Sequence, residues 1–313
     1  MKILYGINSE GLGHLNRSKI VIKELQKLGH EITTVSSHKE ADVFIDYLKL
    51  KYRNGKIRKA SVIWDWLSFP MRKNINKIPN HGFDLVITDY EPVTARYARK
   101  HKINLVSIDN QHRFSTIDKS LPLKFLIYNI ALYLVNKIFI GKTDDQIVTC
   151  FHPKEGSYDV LCEHEETKGG DGSTLVYLKD VFVADFLRNY KDSKTPTYVY
   201  CKSLSIENFG YHNSNVKFCP LGDSFKRRLA SCSRVVSNAG NQLIGECIKY
   251  NKPITCIPIM GQIEQEINAY YLKKFNLGGV TDIKNLKINN KKPRVVLDRG
   301  LDKVIERLIL WLK

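Results

Sequence analysis

The sequence predicts an α/β protein built from two doubly wound, Rossmann-like halves, each a parallel sheet covered by helices on both faces. Three observations predict it. Short apolar runs alternate with segments of helical spacing along most of the chain, the alternation breaks in a polar, glycine-rich stretch at residues 152–173, and it then restarts. A length of 313 residues suits two domains of ordinary size, and 43% hydrophobic residues supply a core for each.

In the first half, residues 2–7 read as a strand and residues 15–28 as a helix that stops at Gly29. Residues 31–37 are the next strand, followed by a helix expected over 39–48. Residues 84–88 form a strand, 92–101 a helix entered at Pro92, 104–109 a strand, and 146–151 the last strand of this half. The most apolar stretch, residues 121–140, is interrupted by Lys124, Asn129, Asn136 and Lys137, so a spanning helix is disfavoured. It reads as a core or interdomain helix, with a helix dipping into a membrane surface as the alternative.

The polar stretch 152–173 carries Glu163, Glu165 and Glu166 and reads as the linker, giving domains at 1–165 and 172–297. The second half repeats the pattern. Strands are expected at 174–177, 197–201, 216–221, 234–237 and 254–258, and helices at 181–190, 224–232, 242–250 and 264–275. Residues 298–313 close the chain as an amphipathic helix. Two such halves would face each other across a cleft, and ligands of doubly wound sheets sit outside the carboxyl ends of the strands.

Seven scattered cysteines without a Cys-x-x-Cys pair point to buried free thiols in a reducing compartment. Residues 1–7 read as a strand rather than a targeting segment, so the expected setting is the cytoplasm of a bacterium or a phage-infected host. A net charge of +17 favours a polyanionic partner, either nucleic acid or an anionic membrane face.

The first strand runs into Ser9-Glu10-Gly11-Leu12-Gly13-His14. This is glycine-rich but is not Gly-x-Gly-x-x-Gly, and no acid closes the second strand, which disfavours a dinucleotide. Gly11 and Gly13 allow a ligand near the backbone, and His14 and Arg17 at the helix start face the cleft. A second small-residue turn, Ser237-Asn238-Ala239-Gly240-Asn241, joins a strand to a helix and makes a site for an anion.

That second segment resembles the nucleotide-sugar site of GT-B glycosyltransferases, particularly relatives of the UDP-glucuronosyltransferases and of the peptidoglycan N-acetylglucosaminyltransferase. Gly240 is followed six residues on by Glu246, Pro253 enters the next strand, and Glu264-Gln265-Glu266-Ile267-Asn268 supplies an acidic-Gln turn. The run Val216-Lys217-Phe218-Cys219-Pro220-Leu221 matches the base-binding strand, and Gly11-Leu12-Gly13-His14 the acceptor-side glycine loop. Two positions depart from the pattern. Asn238-Ala239-Gly240 stands where the family has a His-Gly turn, and Asn251-Lys252 precedes Pro253 where the family has Gly.

The resemblance implies a UDP-sugar as donor, held by Phe218, Ser237, Asn238, Ala239, Gly240, Asn241, Glu246, Glu264, Gln265 and Asn268. Glu246 would take the ribose hydroxyls, and Glu264 and Gln265 the sugar hydroxyls. Lys202, at a strand end, is a candidate for the phosphates, with a solvated surface lysine as the plainer reading. No Asp-x-Asp motif lies near a sugar-binding strand, so neither metal nor other cofactor is expected. Peptide N–H groups at a helix start can stabilise a leaving diphosphate in a cation's place.

Inverting transfer needs a base, and two candidates stand open. His14 has the residue type for neutral-pH proton transfer. Asp89 ends a strand, where it could take the proton, orient His14, or merely cap the helix entered at Pro92. His112, in Asp109-Asn110-Gln111-His112, ends the next strand and would line the acceptor side.

For the acceptor, Lys49, Lys51, Arg53, Lys56, Arg58 and Lys59 form a basic block, followed by Trp64, Trp66, Phe69, Arg72, Lys73 and Lys77. Basic residues interleaved with aromatics suit a nucleic-acid backbone with exposed bases, or lipid headgroups. The expectation is therefore a metal-independent, inverting UDP-sugar transferase acting on a hydroxymethylated base in duplex DNA. A membrane lipid or lipid-linked glycan is the alternative acceptor, and a catalytically silent nucleotide-sugar-binding module the alternative role.

Overall fold

The computed structural model describes residues 1–9, 12–45, 52–53, 56–57, 74–152, 154–162, 169–190, 194–201, 214–293 and 300–312. The chain divides into two compact units, one from Met1–Arg53, Ile57–Cys162 and Arg299–Lys313, the other chiefly Glu163–Asp298.

The first unit runs β1 (Lys2–Ile7), α1 (Leu12–Lys27), β2 (Glu31–Ser36), β3 (Val43–Phe44), a small separate pair β4 (Tyr52–Arg53) and β5 (Lys56–Ile57), then β6 (Leu85–Asp89) and α2 (Pro92–His101). It continues with β7 (Leu105–Asp109), a single 3-10 turn at Gln111–Phe114, α3 (Leu123–Phe139), β8 (Asp145–Thr149) and β9 (Ser157–Tyr158). Its sheet is parallel in the order β3-β2-β1-β6-β7-β8-β9. The central strands β6 and β7 are buried at every position, so they read as largely apolar runs, broken only by the small hydroxyl residues Thr88 and Ser107, up to their terminal aspartates.

Helix α2 shows how the chain leaves such a strand. Both carboxylate oxygens of the buried Glu91 accept first-turn N–H groups, from Val93 at 2.8 Å and Thr94 at 2.6 Å. Pro92 occupies the first helical position, where a missing N–H costs nothing. The helix then packs so close to β1 that a Cβ on Gly6 would meet Thr94 Oγ1 at 2.1 Å.

The second unit contains β10 (Thr174–Tyr177), α4 (Asp180–Asn189), β11 (Thr197–Tyr200), β12 (Val216–Cys219), α5 (Asp223–Ser231), β13 (Arg234–Ser237), α6 (Asn241–Lys249), β14 (Ile254–Cys256), α7 (Ile263–Lys274) and β15 (Gly279–Val280). Its sheet is also parallel, in the order β12-β11-β10-β13-β14-β15. The chain then returns to the first unit as α8 (Gly300–Ile309). Val304 and Leu308 enter the core beside Ile20, Val21 and Leu25 of α1, and Arg307 binds Asp145 through two nitrogens.

Three segments depart from the sequence reading. Of the helix expected over 39–48, residues 39–45 are not helical: a turn leads into β3, and residues 46–48 lie outside the described set. The Asp42 carboxylate accepts from the Thr34 backbone N–H at 2.7 Å and its hydroxyl at 2.8 Å, which draws this segment onto the sheet edge. The stretch 152–173 is not all linker, because β9 pairs with β8 within it. Residues 121–140 do hold one helix, but its buried positions are Asn129 and Asn136, the polar residues that seemed to interrupt it. No described helix is long and apolar enough to cross a membrane.

The Glu91 cap can be checked directly. Glu91→Ala should lower the unfolding free energy by about 1–2 kcal/mol, measured by urea titration, because two first-turn N–H groups lose a charged acceptor.

Candidate active site

In the first unit the site forms where β1 and β6 end. Ile7 and Asp89 are register partners at the carboxyl ends of these strands. Helix α1 starts beside them, so His14 and Arg17, one turn apart, reach the same carboxylate. Arg17 grips Asp89 with two nitrogens, Nε on Oδ2 at 3.0 Å and Nη2 on Oδ1 at 2.5 Å. The Ser18 hydroxyl donates to Oδ2 at 3.1 Å, and His14 Nδ1 lies 2.6 Å from Oδ1.

Asp89 is fully buried, and its oxygens are engaged by the chain's own donors. Burial alone would raise its pKa. The Arg17 charge and then the His14 contact outweigh burial and hold the carboxyl below its ordinary value of 3.8. His14 Nδ1 faces this carboxylate, and the other ring nitrogen is Nε2. That nitrogen faces the Gln111 side-chain amide, with Gln111 Nε2 at 3.4 Å. The His14 side chain keeps 12% exposure, whereas Asp89 has none.

Of the readings open for Asp89, helix capping is not met, and its oxygens face His14, Arg17 and Ser18 instead. Capping of α2 belongs to Glu91. The partners Ser18 and Gln111 were not foreseen. Ser18 follows Arg17 without any spacing signal, and Gln111 arrives from β7, a strand away in the sheet.

The residue after Asp89 is unusual. Tyr90 has φ 54°, the left-handed region that a tyrosine seldom adopts. Its carbonyl accepts from Asn8 Nδ2 at 2.9 Å, its hydroxyl meets Asn136 Oδ1 at 2.7 Å, and its ring stacks on Phe139. Asn136 also donates to the Gln111 carbonyl at 2.7 Å, so α3 holds the loop that faces His14.

His112, expected to line the acceptor side, is instead buried. Asp109 accepts both its backbone N–H, at 2.7 Å, and its Nδ1 proton, at 2.6 Å, and its ring lies edge-on to Tyr90. A carboxylate three residues ahead inside one tight turn folds the imidazole back onto the strand end.

In the second unit, Tyr177, Tyr200, Cys219, Ser237 and Cys256 share one register row at the carboxyl edge of the sheet. Gly240 is the N-cap of α6, with no side-chain cap hydrogen bond and open space where a Cβ would stand. Helix starts leave N–H groups without intrahelical acceptors, so this edge offers donors and a positive dipole end to an anion. Glu246 lies partly exposed on α6 and accepts from Gln242 Nε2 at 2.8 Å. Glu264, at the start of α7, and Phe218, in β12, are also partly exposed. The side chains of Tyr177 and Tyr200 both meet Phe225 edge-on, an aromatic group not singled out in the sequence because its members come from three elements.

Several expected donor residues shape this edge from beneath. Asn238 accepts from the Lys179 backbone N–H and donates to the Ile257 carbonyl, each at 2.9 Å. Asn268 donates to the carbonyl of the buried Ala239 at 2.8 Å, and Gln265 Oε1 accepts from the Ile259 N–H at 3.0 Å. The Ser237 hydroxyl turns to the Asn238 carbonyl, and Asn241 is buried in the first turn of α6.

Gly13 falls within the first turn of α1 rather than in a loop. Gly11, Arg58, Lys59, Trp64, Trp66, Arg72 and Lys202 lie outside the described residues, and Lys56 falls in β5. Among the described residues no group of His, Cys, Asp or Glu could hold a metal ion.

Residues 1–295 match the model of the family described as Glycosyl transferase family 1. The chain belongs to glycosyl transferase family 1. This glycosyltransferase shares its fold with solved structures of GT-B transferases. The calicheamicin glycosyltransferase CalG4 aligns with a TM-score of 0.64 at 15% identity, covering 99% of this chain and 98% of its own. The glycosyltransferase VinC, solved in complex with dTDP, gives 0.60 at 14% identity, covering 99% and 91%. MurG of Acinetobacter baumannii gives 0.53 at 13% identity, also covering 99% and 91%. No curated protein matches the sequence of this family member.

The Asp89 cluster makes a stability prediction. Because its folded pKa is depressed, its contribution is fully present above 3.8 and is lost as pH falls through the lower folded value. Asp89→Asn should cost about 3–5 kcal/mol near neutrality, since the Arg17 guanidinium would remain buried without its anion. Urea unfolding at neutral pH and in acid should show a large gap between parent and variant that narrows in acid.

Proposed function

We propose that the transferase moves a sugar, with inversion and without a metal, from a nucleoside diphosphate sugar to a hydroxyl, with His14 as the base. The carrying observation is the contact of His14 Nδ1 with the buried Asp89, which leaves Nε2 as the proton acceptor. As the acceptor oxygen bonds to the anomeric carbon, Nε2 takes its proton. The bond from that carbon to the diphosphate oxygen breaks, and the nucleoside diphosphate leaves with the electron pair. Asp89 stabilises the imidazolium that forms, while Arg17 keeps Asp89 ionised.

The second unit supplies the donor site. N–H groups at the start of α6 would meet the diphosphate, whose negative charge grows as it leaves. Glu246 would accept the ribose hydroxyls, and Glu264 the sugar hydroxyls. The resemblance to UDP-sugar enzymes favours uridine, while VinC holds dTDP and SsfS6 thymidine diphosphate, so the donor is a pyrimidine nucleotide sugar.

For the acceptor we place a lipid-borne hydroxyl ahead of the hydroxymethylated DNA base. The lysine-flanked apolar helix α3 favours the lipid, because its Asn136 holds the loop beside His14.

His14→Ala should lower turnover by about 10²–10⁴-fold while calorimetry shows unchanged nucleotide affinity. A normal rate in that variant would remove His14 from the reaction. Glu246→Ala should weaken UDP binding by about 1.5–3 kcal/mol, and unchanged affinity would exclude it from the donor site. Transfer should persist in EDTA. Loss of transfer in the chelator, restored by manganese, would overturn the metal-free reading.

A further inference from the structure

Helix α3 is amphipathic the wrong way round for a water-soluble surface. Its buried positions are Asn129 and Asn136. Asn129 accepts from the Asp118 N–H and donates to the Thr116 carbonyl, and Asn136 binds Tyr90 and Gln111. The opposite face presents Leu123, Ile127, Ile130, Leu134 and Ile138, one continuous stripe at helical spacing. Leu123 is 73% exposed, Ile127 56% and Ile138 57%. Isolated exposed leucines are ordinary, but a stripe of this length is an interaction surface.

The charge around the stripe selects the occupant. The helix contains no Asp or Glu; Lys124 stands near one end and Lys137 near the other, and exposed Lys119 and Lys142 lie just beyond its ends. A second copy would set lysine-flanked faces of two chains, each of net charge +17, against each other. A nucleic acid would match the lysines but leave the apolar stripe uncovered. An anionic lipid surface satisfies both features, with hydrocarbon beneath the stripe and headgroups around lysines whose stems lie along it.

We propose that α3 docks this transferase on an anionic membrane surface. The stripe enters the acyl boundary, while the two buried asparagines hold the helix to the Tyr90 and Gln111 segments. The Gln111 backbone that Asn136 binds then stands about one helix diameter, roughly 10 Å, from the docking face, with His14 beyond the Gln111 side chain. The docking itself needs only the helix face. The supply of a lipid hydroxyl to His14 rests also on the transfer reading given above.

The test is co-sedimentation with vesicles. The full-length protein should sediment with mixed phosphatidylglycerol and phosphatidylcholine vesicles, and much less with phosphatidylcholine alone. The pair Ile127→Asp and Leu134→Asp, both at exposed positions, should abolish sedimentation while leaving urea stability and nucleotide binding unchanged. Reversing Lys124 and Lys137 to glutamate should weaken it at least thirtyfold, at about 1 kcal/mol for each lysine removed. His14→Ala should sediment like the parent. Failure of the parent to sediment, or equal sedimentation of the aspartate pair, would overturn the proposal. So would a dimer in ultracentrifugation, or duplex DNA binding, that the aspartate pair abolishes while vesicle binding is absent. Sedimentation without any sugar transfer would leave the docking standing and refute the transfer reading alone.

Discussion

The first unit depends on a buried ion pair. Arg17 and Asp89 come from a helix and a strand far apart in sequence, and neither could be buried without the other. Their two-point contact fixes the rotation of α1 against β6. It thereby fixes His14, one turn earlier on the same helix. The pair also sets the charge state on which the imidazole relies, because a protonated Asp89 could not accept the Nδ1 proton. The atoms that hold the helix against the strand are the same ones that hold the imidazole.

The second unit solves a different problem. An anion site at a helix start works only if the turn before it stays open to the ligand, yet its own polar groups must be satisfied. The chain manages this from below. Asn238, Gln265 and Asn268 bind backbone groups on the protein side of the turn, so Gly240 can present the start of α6 with no side chain above it. Asn238, Gln265 and Asn268, expected as ligand contacts, each bind backbone groups around this turn.

Much of this was legible in the sequence, and what was not has physical reasons. Strand ends were readable because fully buried strands are mostly apolar, with at most a small hydroxyl residue, up to a charged terminal residue, as at Asp89 and Asp109. The meeting of His14 with Asp89 could be suspected from adjacent strand ends. The engagement of Asp89 by Arg17 and Ser18 could not, because it depends on the rotation of α1. Residues 39–45 misled because the Asp42–Thr34 contacts that draw them to the sheet are non-local. Asn129 and Asn136 were read only as interruptions that argue against a spanning helix; that they form the protein side of the helix shows only in their tertiary partners.

Tyr90 links these parts. A tyrosine in the left-handed region carries strain of order 1–3 kcal/mol, and here the neighbouring contacts sustain it. Those contacts are to Asn8, Asn136 and Phe139, two of them on α3. The backbone that presents Asp89 is therefore held under tension by the helix whose outer face is apolar. A glycine at this position would relax that tension and sever the connection together. Through this tyrosine one helix braces both the strand end that carries Asp89 and the loop that faces His14.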